Sequence, residues 1–239
     1  MAEPGRFACT GCGDCCRGFA REQDVSWKPQ EGPVVRLSAQ PGLPLMSWEW
    51  QRLRALAAER GIPFEANPFD AVLDEAHERL VVLSYRMLGD ACRFLEARAD
   101  LPLGERSKAW GFTMGGVCGI YEHRPLACRA YPLVPMARGI ALSIHCPELV
   151  DADPDSDAAL ERIYGDCLPG VRAFQRAPRV AALALERLEA LGDVRLAFEP
   201  TEAQAEHARA AWPRVDLCDL MAAQGMEGWQ ALEARAWLP

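Results

Sequence analysis

The sequence has few histidines, no long apolar run and no excess of positive charge, and each of these absences excludes a class of protein. Only four of the 239 residues are histidine, so an enzyme that holds zinc through several imidazoles is not expected. No stretch approaches the ~18 consecutive apolar residues that a membrane-spanning helix needs. The formal net charge of −8 opposes binding to nucleic-acid phosphates or to an anionic membrane surface. We therefore expect neither a nucleic-acid partner nor a membrane partner.

Several well-known catalytic motifs are missing as well. The chain has no G-x-G-x-x-G after a strand, no Walker loop and no Ser/His/Asp order. It also lacks the C-x3-C-x2-C triad of radical-SAM enzymes. The acidic run at residues 151–157 has neither the glycine nor the closing glutamate of an EF-hand loop, so we interpret it as a solvated linker. The function must therefore be sought in what the sequence has in excess, which is cysteine.

Ten cysteines are present, and four of them lie close together in the stretch FACTGCGDCCR at residues 7–17. Cys9, Cys12 and Cys15 form a C-x2-C-x2-C run, whose spacing lets a tight loop turn three thiolates toward one point. The same run supplies the first three ligands of bacterial ferredoxin clusters. Cys16 follows Cys15 directly, and adjacent side chains in an extended chain point apart. The pair therefore predicts two neighbouring metal centres or a wall that is shared between them.

The alternative to metal binding is a set of disulfides. Only eight residues precede Cys9, which is too few for a signal peptide, so we expect a cytoplasmic protein whose thiols stay reduced. In a reducing compartment, clustered cysteines indicate metal ligands. Disulfides stay an alternative only if the protein is processed from a longer precursor.

Four further cysteines follow in separate motifs. Cys92 opens CRFL, Cys118 and Cys128 lie in CGIYEHRPLACRAYP at residues 118–132, and Cys146 precedes a proline. The count of eight permits two centres with four ligands each. The partition we favour gives Cys9, Cys12, Cys15 and Cys146 to one centre, and Cys16, Cys92, Cys118 and Cys128 to the other. Cys167 and Cys218 lie outside the motifs in helical, mainly apolar surroundings, and we expect them to be inert buried thiols.

A soft, all-thiolate ligand set selects iron–sulfur clusters or zinc. The ferredoxin-like triple favours iron–sulfur, as one or two [4Fe–4S] clusters, and zinc is the alternative cofactor. Arg17, Arg124 and Arg129 each follow or precede a proposed ligand closely, and we expect their guanidinium groups to offset the negative charge of the sulfurs. His145 lies beside Cys146 and is the one candidate for a catalytic residue.

The pattern of apolar residues predicts an α+β fold that is mainly helical. We expect an irregular, metal-stapled N-terminal cysteine-cluster domain with short strands over residues 1–150. A helical C-terminal extension, packed on that domain, is expected over residues 151–239. Half of the residues are apolar, so a real hydrophobic core is expected.

Local signals predict individual elements. Ser47 is expected to cap a helix that ends at Arg60, and Asn67-Pro68 is a second helix start signal. Strands are predicted at Val34–Leu37 and Leu80–Leu83 from their β-branched content. The C-terminal helices are expected over residues 178–191 and after caps at Thr201 and Asp216.

Taken together, the motifs FxCxxCGxCCRG, CxFL, CxIYxxRPxxCRxYP and a further Cys-Pro resemble the YkgJ-like cysteine-cluster family. The resemblance covers about residues 7–147, and four motifs in the same order carry it. The matching residues are Phe7, Cys9, Cys12, Gly13, Cys15, Cys16, Arg17, Gly18, Cys92, Phe94, Leu95, Cys118, Ile120, Tyr121, Arg124, Pro125, Cys128, Arg129, Tyr131, Pro132, Cys146 and Pro147. The interval from Cys92 to Cys118 is longer than is usual in that family. The resemblance implies a zinc- or iron-chelating domain, and the flagellin lysine methylases, which are similar at a greater distance, imply methyl transfer as a further role.

Two classes of function remain open. In the first, the metal centre works, either passing electrons to a protein redox partner or binding a small-molecule substrate in an oxidoreductase or group-transfer enzyme. In the second, zinc staples an irregular fold and the protein is a binding module without catalysis. A further hypothesis is that one of the two centres is incomplete, with His145 or an exogenous molecule near an open iron.

Overall fold

The computed structural model describes residues 6–10, 12–18, 33–136, 139–143, 146–153, 155–197 and 199–238, with only the backbone of Trp229. Within these ranges the chain forms nine strands, eight helices and two short 3-10 turns, at Asp14–Cys16 and Tyr121–His123. The strands are β1 (Val34–Arg36), β2 (Leu43–Met46), β3 (Ala66–Asp74), β4 (Arg79–Met87), β5 (Leu95–Arg98), β6 (Gly115–Cys118), β7 (Leu133–Pro135), β8 (Ile140–Leu142) and β9 (Arg214–Asp216). The helices are α1 (Ser47–Glu59), α2 (Glu105–Ala109), α3 (Leu126–Ala130), α4 (Asp157–Tyr164), α5 (Leu168–Ala190), α6 (Glu202–Ala211), α7 (Leu217–Ala223) and α8 (Trp229–Trp237).

The mixed α+β class is confirmed. Helices hold 40% of the described residues and strands 21%, so helix is the larger share, as predicted. No helix in the described ranges is long and apolar enough to cross a membrane.

The chain divides into two compact units, and each is made of two separate stretches of sequence. The first unit comprises residues 1–23 and 89–175, and the second comprises residues 24–88 and 176–239. This division differs from the boundary at residue 150 that the sequence suggested. The physical reason is pairing between segments that are distant in sequence: β9 joins β4, although more than a hundred residues separate them.

The second unit is built on a five-stranded sheet with the order β1-β3-β4-β2, in which β9 runs parallel to β4. The hairpin of β3 and β4 is its centre. The last six residues of β3 and the last eight of β4 are all buried, as expected of strands covered on both faces. One cluster joins the sheet to α6 through Val35, Leu73, Leu80, Ala205 and Ala208, while α1 contacts β4, α7 and α8.

The predicted helix start at Asn67-Pro68 is wrong, because both residues belong to β3. Pro68 lacks an N–H group and cannot complete a regular ladder. The strand accommodates it with shifts in the register against β4, first between Pro68 and Asp70 and then between Asp70 and Ala71. Pro68 therefore lies at a strand irregularity, where sheets tolerate proline. The sequence alone did not distinguish it from a proline in the first turn of a helix.

A buried carboxylate fixes the end of the β3–β4 hairpin. Asp74 has no exposed side-chain surface, and its carboxylate lies 2.8 Å from Arg79 Nε and 2.9 Å from His77 Nδ1. The backbone N–H of Arg195 donates to Asp74 Oδ1 at 2.9 Å. Burial raises the pKa of Asp74, but these hydrogen bonds outweigh burial and hold the pKa below its usual value.

Asp74→Asn is expected to lower the free energy of unfolding of the protein at pH 7 by about 1.5–3 kcal/mol, because hydrogen bonds to a charged acceptor are lost. The folded-state pKa is depressed, so the contribution of Asp74 is fully present above its unfolded pKa of about 3.9 and is lost as the pH falls from that value through the lower folded-state pKa. Denaturant unfolding of both proteins from pH 7 to about pH 2 measures this difference. The wild type should approach the variant in acid, while the exposed Glu206→Gln control tracks the wild type throughout. A difference that stays constant with pH would contradict the assignment.

The first unit has shorter elements. It holds the hairpin of β5 and β6, the hairpin of β7 and β8, helices α2, α3 and α4, and the beginning of α5. Its apolar cluster includes Leu133, Leu160, Ile163 and Val171, with Phe7 packed against it. The backbone N–H of Phe7 donates to the carbonyl of Ile163 at 2.9 Å, which fixes the N-terminal segment immediately before the first cysteine.

Candidate metal centre

All eight motif cysteines belong to the first unit, although they extend from position 9 to position 146. Cys167 belongs to the same unit, whereas Cys218 lies in the second unit. The first unit therefore contains all of the motif thiols, and the tenth cysteine belongs to the other unit.

The N-terminal motif is held as a tight turn. Gly13 has a φ of 81°, a conformation that L side chains rarely adopt, and the backbone N–H of Cys16 donates to its carbonyl at 3.0 Å. A Cβ atom at Gly13 would lie 2.6 Å from Arg17 Nη1. Glycine is therefore required here both by the backbone conformation and by the close approach of Arg17.

Backbone pairing brings three cysteines of one predicted group together. The N–H of Cys92 donates to the carbonyl of Cys16 at 2.8 Å, and the N–H of Leu95 returns to the carbonyl of Cys92 at 3.1 Å. Leu95 is in turn the strand partner of Cys118 in the β5–β6 hairpin. Cys16, Cys92 and Cys118 are thus linked through a continuous set of hydrogen-bonded segments.

The electrostatic contacts join Cys128 of α3 to the same group. Cys128 lies within electrostatic range of Cys16, Cys92 and Cys118. Cys92 in turn lies within range of Cys16 and Cys118, and Cys118 within range of Cys16. Burial, followed by this proximity of like charges, raises the pKa of Cys92 to about 12 and raises those of Cys118 and Cys128. Every pair within this predicted group therefore interacts.

The other predicted group is linked less completely, because Cys15 interacts with Cys9 and with Cys128 of the second group. Cys146 lies within electrostatic range of Cys9 and Cys12, and these two lie within range of each other. Cys15 lies within range of Cys9. Burial is the largest cause that raises the pKa of Cys146, to about 11.

Cys15 and Cys16 stand at the junction of the two groups, with their Sγ atoms 3.8 Å apart. The contact between the thiols is the largest cause that raises the pKa of Cys15 and lowers that of Cys16. The charges of Arg17 and Arg124 also lower the pKa of Cys16. Cys15 and Cys16 therefore interact with different sets of thiols, although the two residues are adjacent in the chain.

Four of the eight sulfurs share one local geometry, in which the thiol accepts a hydrogen bond from the backbone N–H two residues later. The pairs are Cys12 with Asp14, Cys92 with Phe94, Cys118 with Ile120 and Cys146 with Glu148. Cys92 also accepts from the N–H of Leu95. Hydrogen bonds of this kind favour the thiolate, which is the form that binds a metal. Two of the four lie in each predicted group.

The predicted arginines lie near the sulfurs, but their hydrogen bonds go mainly to oxygen. Arg17 is buried and donates to the carbonyl of Met114 at 2.7 Å and to Ser107 Oγ at 3.3 Å. Arg129 donates to the carbonyls of Arg124 and Glu122, which fixes the loop before α3. The charge of Arg124 lowers the pKa values of three thiols of the second group, those of Cys16, Cys118 and Cys128. Direct hydrogen bonding of these guanidinium groups to metal-bound sulfur stays a prediction.

Asp14, which the sequence did not single out, anchors the cysteine turn. It is 3% exposed, and its Oδ1 accepts hydrogen bonds from Ser107 N at 3.0 Å and from Ser107 Oγ at 2.5 Å. The same carboxylate fills the space beside Gly104, where a Cβ would lie 2.1 Å from Oδ2. The only sequence signal for this role is its place between two cysteines, because Ser107 is distant along the chain.

Asp14→Ala is expected to destabilise the first unit by about 1–3 kcal/mol, since it leaves the buried N–H and hydroxyl of Ser107 without an acceptor. Denaturant unfolding measures the change. Asp166→Ala is the matched control, because Asp166 is an exposed carboxylate paired with Arg6 at 2.8 Å and should change stability by less than about 1 kcal/mol. Equal effects of the two substitutions would show that Asp14 has no anchoring role.

A cavity of about 480 Å³ opens within the first unit. All four cysteines of the first predicted group line it, and so does Cys128 of the second group. Cys167 lines it as well, which the sequence did not predict. The expected burial of Cys167 and Cys218 is confirmed, and burial raises the pKa of each to about 12, so both stay protonated at neutral pH.

Among the residues that the structure describes, the side chains do not form a closed coordination sphere. In the described part of the chain, no three Cys, His, Asp or Glu side chains converge closely enough to hold a metal ion. His145, the candidate catalytic residue, lies outside the described residues. What fits a metal is the donor set itself, eight thiols within one unit, of which four accept N–H hydrogen bonds.

The chain was compared with known proteins on the basis of sequence and of structure. No family model, no curated protein and no solved structure matches it. The resemblance to the YkgJ-like family therefore stays a prediction that rests on the cysteine motifs alone.

Proposed function

We propose that the first unit binds iron–sulfur clusters, most simply [4Fe–4S], through two groups of four cysteines, with a redox role or a cluster-dependent catalytic role. The observation that carries this proposal is the gathering of the eight motif thiols in one unit, where Cys16, Cys92, Cys118 and Cys128 all interact pairwise. Clustering thiols, most of them partly buried, is unfavourable for their ionised forms. A cationic metal centre reverses that penalty, because it stabilises the thiolates that ligate it.

The amide hydrogen bonds to sulfur support the same proposal. They lie at Cys12, Cys92, Cys118 and Cys146, two in each group. Hydrogen bonds to cluster sulfurs and the burial of the site are the means by which a protein sets the potential of an iron–sulfur cluster. When bound, such a cluster supplies one-electron transfer or an iron that accepts a further ligand.

The choice of iron–sulfur over zinc rests on the ligand spacing. Structural zinc sites are typically built from two C-x2-C knuckles, whereas Cys9, Cys12 and Cys15 form one C-x2-C-x2-C run of the ferredoxin kind. The remaining ligands come singly from separate segments. A YkgJ-like relationship would agree with either metal.

The first group is the better candidate for chemistry, because all of its cysteines line the cavity. A centre that reacts with a substrate needs an open position and access, while a saturated, enclosed centre transfers electrons or supports the fold. Of the second group, only Cys128 lines the cavity. We therefore assign the structural or electron-transfer role to the second group and the reactive role to the first.

Metal and sulfide analysis of protein purified without oxygen tests the proposal. We expect brown protein with charge-transfer absorption near ~400 nm, which air or a chelator bleaches, and comparable amounts of iron and acid-labile sulfide. Colourless protein with stoichiometric zinc and no sulfide would replace this proposal with the zinc-stapled binding module.

A further inference from the structure

The cavity beside the first cysteine group has the dimensions of a small-molecule site. Its volume of about 480 Å³ falls within the range of ligand pockets in proteins. Beside the thiols, its lining includes three arginines and three carboxylates, which are Arg6, Arg124, Arg129, Asp14, Glu148 and Asp166. What the cavity can bind depends on which of these charged groups already have a partner in the protein.

The three carboxylates all have partners. Asp14 accepts two hydrogen bonds from Ser107, and Asp166 forms an ion pair with Arg6 at 2.8 Å. Glu148 accepts from Thr10 Oγ1 at 3.4 Å. None of them is paired with Arg124 within the ranges that the structure describes.

Arg124 is the arginine of this cavity whose two terminal nitrogens are not paired with another group of the described residues. Its Nε donates to the carbonyl of Tyr121 at 3.0 Å, and its guanidinium carbon lies 3.6 Å from the centroid of the Tyr121 ring. These two contacts fix the plane of the guanidinium without using its two terminal nitrogens. Across the described residues, those nitrogens have neither a carboxylate nor a carbonyl partner, and the side chain is only half-buried.

A guanidinium fixed in this way is suited to a planar, two-oxygen anion. The two terminal N–H groups can donate in parallel to a carboxylate, an arrangement stronger than a single neutral hydrogen bond. Tyr121 is 52% exposed and also lines the cavity, so the stacked pair is accessible from solvent. The thiols of the first group line the same cavity.

We propose that this cavity binds a small molecule that carries a carboxylate, and that Arg124 holds the carboxylate through its two terminal nitrogens. The inference rests on the proposed function in one respect, namely that the bound molecule meets the metal centre of the first cysteine group. The carboxylate site itself consists of protein groups only. It can therefore be tested separately from the metal.

Two matched probes separate the carboxylate from the rest of the ligand. Mercaptoacetate and 2-mercaptoethanol are similar in size and both carry a thiol, but only the first carries a carboxylate. Titrated into anaerobically prepared protein, mercaptoacetate should perturb the charge-transfer absorption at about a tenfold lower concentration than 2-mercaptoethanol. Equal half-saturating concentrations would overturn the proposal.

Arg124→Gln should abolish the preference for mercaptoacetate, and Arg124→Lys should restore part of it. Arg6→Gln is the matched control, because Arg6 lines the same cavity but is already paired with Asp166. It should keep the full preference. If Arg6→Gln loses as much of the preference as Arg124→Gln, the carboxylate is not held by Arg124 and the proposal fails.

A second readout needs no metal and no variant. Phenylglyoxal labels accessible guanidinium groups, and mass spectrometry follows the labelling of Arg124 and Arg6 in the wild-type protein as purified. Both thiols consume some phenylglyoxal, so the readout is the ratio of the labelling rates of Arg124 and Arg6 in the same sample. At ten times its half-protecting concentration, found by titrating the protection itself, mercaptoacetate should lower this ratio about tenfold, while 2-mercaptoethanol leaves the ratio unchanged. A ratio that mercaptoacetate leaves unchanged overturns the carboxylate site. Protein that is colourless and yet shows this protection would refute the iron–sulfur proposal and leave the carboxylate site standing.

Discussion

Cys12→Ser and Cys128→Ser are each expected to remove about half of the bound metal, and the double variant nearly all of it. The two residues belong to different predicted groups, and loss of a ligand should weaken binding at that group by more than about 100-fold, since even the residues that support ligands contribute 10–100-fold. Iron and zinc analysis of each variant, purified without oxygen, measures the effect.

Cys218→Ser provides the control for these substitutions. Cys218 is buried in the second unit, where its Sγ lies 3.2 Å from Ser47 Oγ. Its replacement should leave the metal content unchanged and alter stability by about 1 kcal/mol. Complete loss of metal from either single variant of the first unit would show one shared centre rather than two, and loss from Cys218→Ser would contradict the assignment of the ligands.

Removal of the metal is expected to unfold the first unit while the sheet of the second unit persists. The first unit consists of strands of three or four residues and helices of five to eight, apart from the start of α5, and such elements are marginal without additional cross-links. The second unit contains its own buried hairpin of two nine-residue strands. A ligand that binds only the folded state stabilises it according to its affinity, and the binding free energy of a structural metal is of the order of 10 kcal/mol.

Amide hydrogen exchange with and without a chelator measures this difference residue by residue. The N–H groups of Cys92 and Leu95, which bond to the carbonyls of Cys16 and Cys92, should exchange at least about 100-fold faster after chelation. Those of Val81 and Val82 in β4 should keep their protection. Uniform loss of protection in both units would mean that the chain unfolds as one cooperative body, and no loss in either would mean that the metal does not stabilise the fold.

Local signals in the sequence predicted those elements whose determinants lie within a few residues. Thr201 caps α6 with a reciprocal bond to Gln204, and the side chain of Asp216 accepts from the first N–H groups of α7, as their sequences indicated. The strand at Leu80–Leu83 lies in the first half of β4. Ser47 is the first residue of α1 rather than its cap, because its hydroxyl bonds to Asp216, a partner that is distant in sequence.

The boundary between the units and the lining of the cavity could not be predicted in this way. Both depend on contacts between segments far apart, such as the parallel pairing of Val81 with Val215. Cys167 has no motif around it, yet its thiol donates to the carbonyl of Tyr131 at 3.2 Å and lines the cavity with the motif cysteines. Asp14 acquires its role from Ser107 in the same way. The spacing of the cysteines in the sequence identified the candidate ligands, whereas the fold determines which residues surround them.

The central claim is that the eight motif cysteines hold two separate metal centres. Anomalous scattering at the iron absorption edge, from crystals grown without oxygen, tests it most directly. The account predicts two peaks, one among the sulfurs of Cys9, Cys12, Cys15 and Cys146 and the other among those of Cys16, Cys92, Cys118 and Cys128. A single peak shared by both groups, a signal at the zinc edge alone, or no metal peak at any of these sulfurs would contradict it.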